Sequence, residues 1–381
     1  MIKSVSDPGY LQCSISVLDN IADPNITFDE KGISNYYYDY LKEEKKTVRT
    51  GEEGKRVLDS IIADIKAYGK GKKYDCITGV SGGVDSTYLA LQAKQLGLRP
   101  LIVHFDNGWN SELAVMNIEN IISRLGFDLY TLVVDWEEFK DIQLSFLKAS
   151  VVDIEAITDH AIIGTLYKLA AENDIQYILS GSNIVTEFVL PKYWIWSKYD
   201  SLNIKSIHKQ FGSVPLKTFP FLSGRQVHYY TKVKKIQTLS LLNYLPYNKA
   251  EVKKTITREL GWRDYGGKHY ESVFTRFYQG YILPKKFLID KRKAHLSNLI
   301  FAGQMSKDDA LKELATPIYD PEQLKIDYDF VLKKFGMKDD EFKKILSLPR
   351  KEHNDYPHQK NNIWDSYPLI RPFKKIWRMF K

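Results

Sequence analysis

The chain has 381 residues, enough to bury a large core as two domains, or as one domain with additions. No apolar run approaches the ~20 residues that span a bilayer, the N-terminus lacks the pattern of a signal peptide, and two distant cysteines make no disulfide framework, so the expected compartment is the cytoplasm. The net charge of +8 suits nucleic acid, anionic small molecules or an anionic membrane face.

In chain order, residues 1–50 are irregular, with turn signals around 7–9, 23–25 and 30–32. The aromatic run NYYYDYL at 35–41 is expected to pack on the main domain. Val57, Ile61, Ile62 and Ile65 have helical spacing within 51–68. Residues 74–87, YDCITGVSGGVDST, read as a buried strand, a glycine turn and the start of a helix over 84–95. Cys76 lies inside that strand and reads as core. Gly82 and Gly83 let the backbone turn tightly and approach a ligand. Strands are expected at 100–105, 129–135 and 176–180, and helices at 111–125, from 136 to about 148, and at 158–173. This alternation predicts an α/β fold, an open doubly wound parallel sheet. Residues 188–199 read as a Trp- and Tyr-rich loop, 236–245 as an apolar segment and 248–260 as a basic helix. The stretch GWRDYGGKHYESVFTRFYQGYILPKKF, 261–287, has no clean period and is expected to be a site built from ordered loops. Helices at 306–314 and 321–335 follow. The expected division is an irregular segment 1–50, a nucleotide-binding α/β domain 51–235 and a mostly helical substrate and partner region 236–381.

A strand that turns on glycines into a helix aims unpaired N–H groups and a positive dipole end at one spot, which suits phosphate. Ser81, Ser86 and Thr87 add hydroxyls. Asp85 implies Mg²⁺, because a carboxylate repels phosphate unless a cation lies between them. The other phosphate loop is excluded, since no lysine follows the glycines. Polar clusters at 81–87, 106–108 and 181–183 each end a strand, where ligands of such sheets bind. The nucleotide-binding candidates are Ser81, Gly82, Gly83, Val84, Asp85, Ser86, Thr87, Asp106, Asn107, Gly181, Ser182 and Asn183. Asp106 and Asn107 fit a ribose or adenine contact or a plain turn, and Ser182 and Asn183 a nucleotide contact or a loop cap.

S-G-G-V-D-S-T resembles the signature of the PP-loop ATP pyrophosphatases, which implies the adenine nucleotide alpha-hydrolase-like fold and cleavage of ATP to AMP and pyrophosphate. FDNGWNS after the second strand, the block GW-DYGGKHYES-FTRFYQGYILPKKF and DKRKAHLS at 290–297 together resemble the N-acetyl sugar amidotransferases of bacterial surface-polysaccharide pathways. That resemblance implies an ATP-dependent amidotransferase in lipopolysaccharide O-antigen biosynthesis, with ATP and Mg²⁺ as its cofactors. An acetamido oxygen of an N-acetyl sugar or nucleotide sugar is adenylated, and ammonia displaces AMP to leave an acetamidino group. Partners implied are a glutaminase subunit that supplies ammonia and a cyclase-like protein that carries it; no nucleic acid is implied.

Asp85, Lys268, His269 and Glu271 are the catalytic candidates, with Lys268 on pyrophosphate and Glu271 either a base or the partner of Arg276. Asp159, His160 and Arg276 are candidate substrate contacts, against a structural histidine and solvated charges. Members of the family often begin with two Cys-x-x-Cys pairs. Here Cys13 stands alone, with Ser16, Ser34 and Tyr37 at the aligned places, so no zinc is expected and packing of residues 36–38 is expected to hold the region. The C-terminal PLIRPFKKIWRMFK suits packing on a domain or partner better than a peripheral membrane contact. Two rivals stand beside this reading: a lysidine-type transfer-RNA-modifying ligase, and a non-catalytic scaffold subunit, against which the intact signature argues.

Overall fold

The computed structural model describes residues 4–267 and 270–359. Five parallel strands form one open sheet in the order β3-β2-β1-β4-β5. They are β1 Cys76–Gly79, β2 Pro100–Asp106, β3 Leu129–Val133, β4 Tyr177–Leu179 and β5 Gln237–Leu239. Six helices precede β4 or lie between the strands: α1 Asn35–Thr47, α2 Gly51–Tyr68, α3 Val84–Gln95, α4 Glu112–Leu125, α5 Trp136–Ala149 and α6 Ala156–Glu172.

The pleat sends alternate side chains to opposite faces. Cys76, Ile102 and Leu179 join one apolar cluster with α2, α3 and α4. Ile77, Leu101, Val103 and Ile178 join another under α6. Both faces are therefore covered, and the fold is the doubly wound sheet expected. The chain steps outward from β1 to β3, then crosses back to lay β4 on the other side of β1. Such a reversal opens a crevice at the carboxyl ends of the two diverging strands. Here it lies between β1 and β4.

β5 falls just past residue 235, so the sheet is completed by the region expected to be separate from it. The helix Lys249–Leu260, capped by Asn248, sets Val252, Ile256 and Leu260 into the α2–α4 cluster. The expectation of loops throughout 261–287 is corrected in its second half. Val273–Phe277 is an α-helix that runs on as a π-helical stretch, Tyr278–Phe287. Phe274, Phe277, Tyr278, Ile282, Leu283 and Phe287 are buried in the largest core cluster. Rings on every side, an i→i+5 period and Pro284 inside the stretch hide the usual 3.6-residue repeat.

The N-terminal segment enters the same cluster through Leu18, Ala22, Ile26 and Tyr40. Ser34 donates its N–H to the Cys13 sulfur at 3.4 Å. Burial pushes that thiol up, but hydrogen bonds from Ser16 and Ser34 outweigh it and leave it below the usual value. Tyr36 donates to Asp23 (2.6 Å), and Tyr37 packs edge-on to Phe301. Among the described residues no helix is long and apolar enough to cross a membrane. The C-terminal basic and aromatic run lies outside the described residues.

Candidate active site

The loop after β1 is shaped by its own serines. Ser86 Oγ accepts from the Ser81 N–H (3.3 Å) and donates to the Gly83 carbonyl (3.3 Å), while the Gly83 N–H donates to Ser81 Oγ (3.2 Å). Gly82 has φ +78°, and a Cβ there would sit 2.7 Å from the Ala114 carbonyl oxygen, so glycine is required on both counts. α3 begins at Val84 with Gly83 as its N-cap and no side-chain cap. Its first-turn N–H groups thus face the crevice. Gly181, two residues past β4, comes so close that a Cβ would lie 3.3 Å from the Ser86 nitrogen and cover it.

Two segments from far along the chain grip this loop. The Gly82 carbonyl accepts from Trp262 Nε1 (2.9 Å), and Asn117 bridges to both the N–H and the carbonyl of Arg263. Residues 109–111 pair with 271–273 through Ser111 N–H to Glu271 O and Val273 N–H to Trp109 O, both 2.8 Å. That pairing sets the Glu271 carboxylate beside Gly83, with Oε1 3.4 Å from where a Cβ would stand, next to the Tyr265 hydroxyl. Burial, then the charges of Glu271 and Asp85, push the Tyr265 phenol far up, so it stays protonated. Asp85 Oδ1 accepts from the Tyr247 hydroxyl and from Asn183 Nδ2.

Two cavities meet at Ser81, Ser86 and Gly181. One, about 440 Å³, lies over the carboxyl ends of β1, β2 and β4 and is mainly apolar, with Val103, Phe105, Leu166 and Ile178 in its wall. His104 and Asn110 are among its polar groups, with Ser81, Ser86, Thr165 and Ser180. The His104 ring donates from Nδ1 to the Val80 carbonyl and accepts at Nε2 from Asn110, with ring and roles set by those partners. The other cavity, about 810 Å³, runs from Asp85 and Glu271 to a basic wall of Lys291, Arg292 and His295. Arg292 is paired with Asp290, and burial lowers the Lys291 amine below its usual value.

Of the residues expected from sequence, Ser81, Gly83, Val84, Asp85, Ser86, Gly181, Ser182 and Glu271 line the larger cavity. Gly82 and Thr87 lie behind that wall, buried. Ser182 shares hydroxyl contacts with Ser180 (2.8 Å) and Ser240 (3.1 Å) across the ends of β4 and β5. Asn183 caps the short helix Ile184–Glu187 and also holds Asp85. Lys268 and His269 lie outside the described residues.

Four expectations are corrected. Asp106 and Asn107 line neither cavity; their side chains accept from the Gly108 and Trp109 N–H groups and make a turn. His160 is fully buried, its Nδ1 bonded to the Lys198 carbonyl (2.7 Å) and its Nε2 accepting from the Leu222 N–H (2.9 Å), which leaves no ring nitrogen for substrate. Asp159 pairs with Lys198 at 3.1 Å, away from the cavity wall. Arg276 forms a two-pronged pair with Asp327 (2.6 and 2.9 Å), so Glu271 is not its partner. His104, Asn110, Trp262, Asn117 and Tyr247 were missed. Only His104 and Asn110, at the end of a strand, had a positional signal.

Among the described residues no group of three His, Cys, Asp or Glu side chains is placed to hold a metal. Mg²⁺ at a phosphate site needs no such group, since one or two carboxylates plus phosphate oxygens and waters complete it. Asp85, Glu271 and the open helix end therefore fit an ATP·Mg²⁺ complex.

Residues 271–371 match the model of a family described as LPS biosynthesis protein WbpG-like, C-terminal domain. None of the curated proteins compared with the chain matches it. Among solved structures, an NH3-dependent NAD synthetase from Campylobacter jejuni is 13% identical over 75% of this chain and 98% of its own, with TM-score 0.31. An NMN synthetase from Francisella tularensis is 13% identical over 60% of this chain and 93% of its own, with TM-score 0.30.

Proposed function

We propose that the protein is an ATP-dependent amidotransferase of lipopolysaccharide O-antigen biosynthesis, acting on the acetamido group of an N-acetyl sugar or nucleotide sugar. The observation that carries ATP use is the uncapped start of α3, with Asp85 in its first turn, at the junction of an apolar and a polar cavity. The apolar cavity takes adenosine, the helix end takes the phosphates, and the acceptor enters from the basic wall. The segment that matches a lipopolysaccharide-biosynthesis family also supplies Glu271, Lys291, Arg292 and His295 to the larger cavity, which supports a sugar acceptor.

An amide carbonyl is a poor electrophile with a poor leaving group. Attack of the acetamido oxygen on the α-phosphorus breaks the bond to pyrophosphate and makes a good one. Ammonia then adds to the carbon, AMP leaves, and one ammonia proton is lost as the acetamidinium forms. Asp85 would hold Mg²⁺, which would shield the β- and γ-phosphate charge. The N–H groups of Asp85 and Ser86 stabilise the leaving pyrophosphate. Glu271 is positioned to accept the ammonia proton. Tyr265 and Trp262, packed edge to face at 5.6 Å, shield the loop from water. Ammonia comes from a glutaminase subunit, with a cyclase-like partner.

The test incubates the protein with ATP, Mg²⁺, ammonium chloride and UDP-linked N-acetyl sugars. Equal amounts of AMP and pyrophosphate are expected, only when sugar and ammonium are both present, with oxygen replaced by NH in the product's mass spectrum. Asp85→Ala should keep its circular dichroism and lose about 10²-fold or more in AMP formation. Pyrophosphate release independent of sugar, or steeply salt-dependent transfer-RNA binding, would remove the sugar reading.

A further inference from the structure

Tyr247 lies where the chain leaves β5 and enters the helix Lys249–Leu260. It is 8% exposed. Its carbonyl accepts from Gln304 Nε2 at 2.8 Å, and Gln304 Oε1 in turn accepts from the Lys249 N–H at 2.9 Å. Its ring meets Tyr88 edge-on at 5.9 Å. Both ends of the residue are thereby fixed, and the hydroxyl donates to Asp85 Oδ1. The same oxygen accepts from Asn183 Nδ2 at 3.3 Å, whose own Oδ1 is held by the N–H and hydroxyl of Thr186. Two donors, from two elements well separated in sequence, converge on one carboxylate oxygen.

We infer that Tyr247 is a positioning residue for the divalent cation: by holding Asp85 Oδ1 it fixes the orientation in which the carboxylate would meet that ion. The inference rests on the proposed role of Asp85 at ATP·Mg²⁺. Mg²⁺ demands near-octahedral geometry at roughly 2.0–2.1 Å, which a carboxylate swinging between one- and two-oxygen contact does not keep. Outer partners of metal ligands typically contribute about 10–100-fold in affinity.

The test is a Mn²⁺ titration of the full chain with α,β-methylene-ATP, reading free Mn²⁺ by electron paramagnetic resonance. Tyr247→Phe keeps the ring and removes the donor. About 10-fold weaker Mn²⁺ binding is expected, with unchanged affinity for the metal-free nucleotide. Asn183→Ala, which removes the second donor from another element, should weaken Mn²⁺ less, and it serves as the test should the tyrosine variant not fold. Wild-type affinity in either folded variant overturns the positioning role. Failure of the wild type itself to take up Mn²⁺ with nucleotide would instead overturn the reading of Asp85, and the inference with it.

Discussion

His160 and Arg276 show how a polar residue can look functional in sequence and be structural in space. Their partners lie 62 and 51 residues away, out of reach of any local pattern. Each also replaces water that the fold has removed, and a buried donor or acceptor left unmatched costs about 1–3 kcal/mol. His160→Phe should therefore lower the free energy of urea unfolding by about that amount. It should leave the KM for ATP unchanged, and a raised KM would return the residue to the site. Burial lowers the His160 pKa below 6.5, so the unfolded chain takes up a proton that the folded chain refuses. Its contribution is present above about pH 6.5 and declines as the pH falls toward the folded value. Breaking the Arg276–Asp327 pair is the larger loss. Both side chains are mostly buried, and Arg276→Met strands a carboxylate already facing Tyr319. The expected cost is about 3–5 kcal/mol by denaturant titration. The loop glycines and Asp85 were legible because their role is local: strand, turn and helix start follow one another within a dozen residues.

At the scale of elements, α5 does something that its apolar stripe does not announce. Glu138 accepts the N–H groups of Lys217, Thr218 and Phe219 at 2.8–3.0 Å. One turn on, Asp141 accepts from the Ser213 and Val214 N–H groups, the Ser213 hydroxyl and His208. The two carboxylates pin residues 213–219, which carry no regular hydrogen-bond ladder of their own. Burial raises both pKa values, but these donors outweigh it and leave both below the usual carboxylate range. Folded values below unfolded ones mean stability that is complete above about pH 5 and is lost as the pH falls through the depressed values. Glu138→Gln should therefore expose the 213–219 amides to hydrogen exchange at neutral pH, as the wild type does only in acid, at a cost of about 1–3 kcal/mol. Equal protection in the variant at pH 7 would show that packing alone holds the segment. The strands β1 and β2 were readable as strands, whereas β5 was read only as part of the apolar segment 236–245. Gln237 and Thr238 are exposed and the strand has three residues, so only its pairing with β4 identifies it.

Over the whole molecule, the first fifty residues are the test of what the fold is. In sequence they stand apart, with turns, one cysteine and no periodic stripe. In space they close the largest core: Leu18, Ala22, Ile26 and Tyr40 pack among α5, α6 and the C-terminal helices. Trp194 Nε1 donates to the Ala22 carbonyl (2.7 Å), Lys307 to the Cys13 carbonyl (2.7 Å), and Lys293 pairs with Asp19. Cys13, Ser16 and Ser34 are all fully buried in this region. These serines converge on Cys13, and apolar burial with long-range polar ties supplies the fastening. Burying the three large side chains, Leu18, Ile26 and Tyr40, contributes roughly 5–9 kcal/mol, against a typical total of about 5–15 kcal/mol. A chain beginning at Gly51 should then lose its cooperative thermal transition and bind a hydrophobic dye, although every residue of the glycine loop after β1 is retained. A truncated protein that melts cooperatively near the full-length midpoint would show that the sheet and its C-terminal helices make a self-sufficient domain. The physical reason to expect otherwise is that the same aromatic cluster, Phe274 to Phe287, carries Glu271 on its leading end. Loosening its N-terminal cover therefore loosens the wall of the larger cavity.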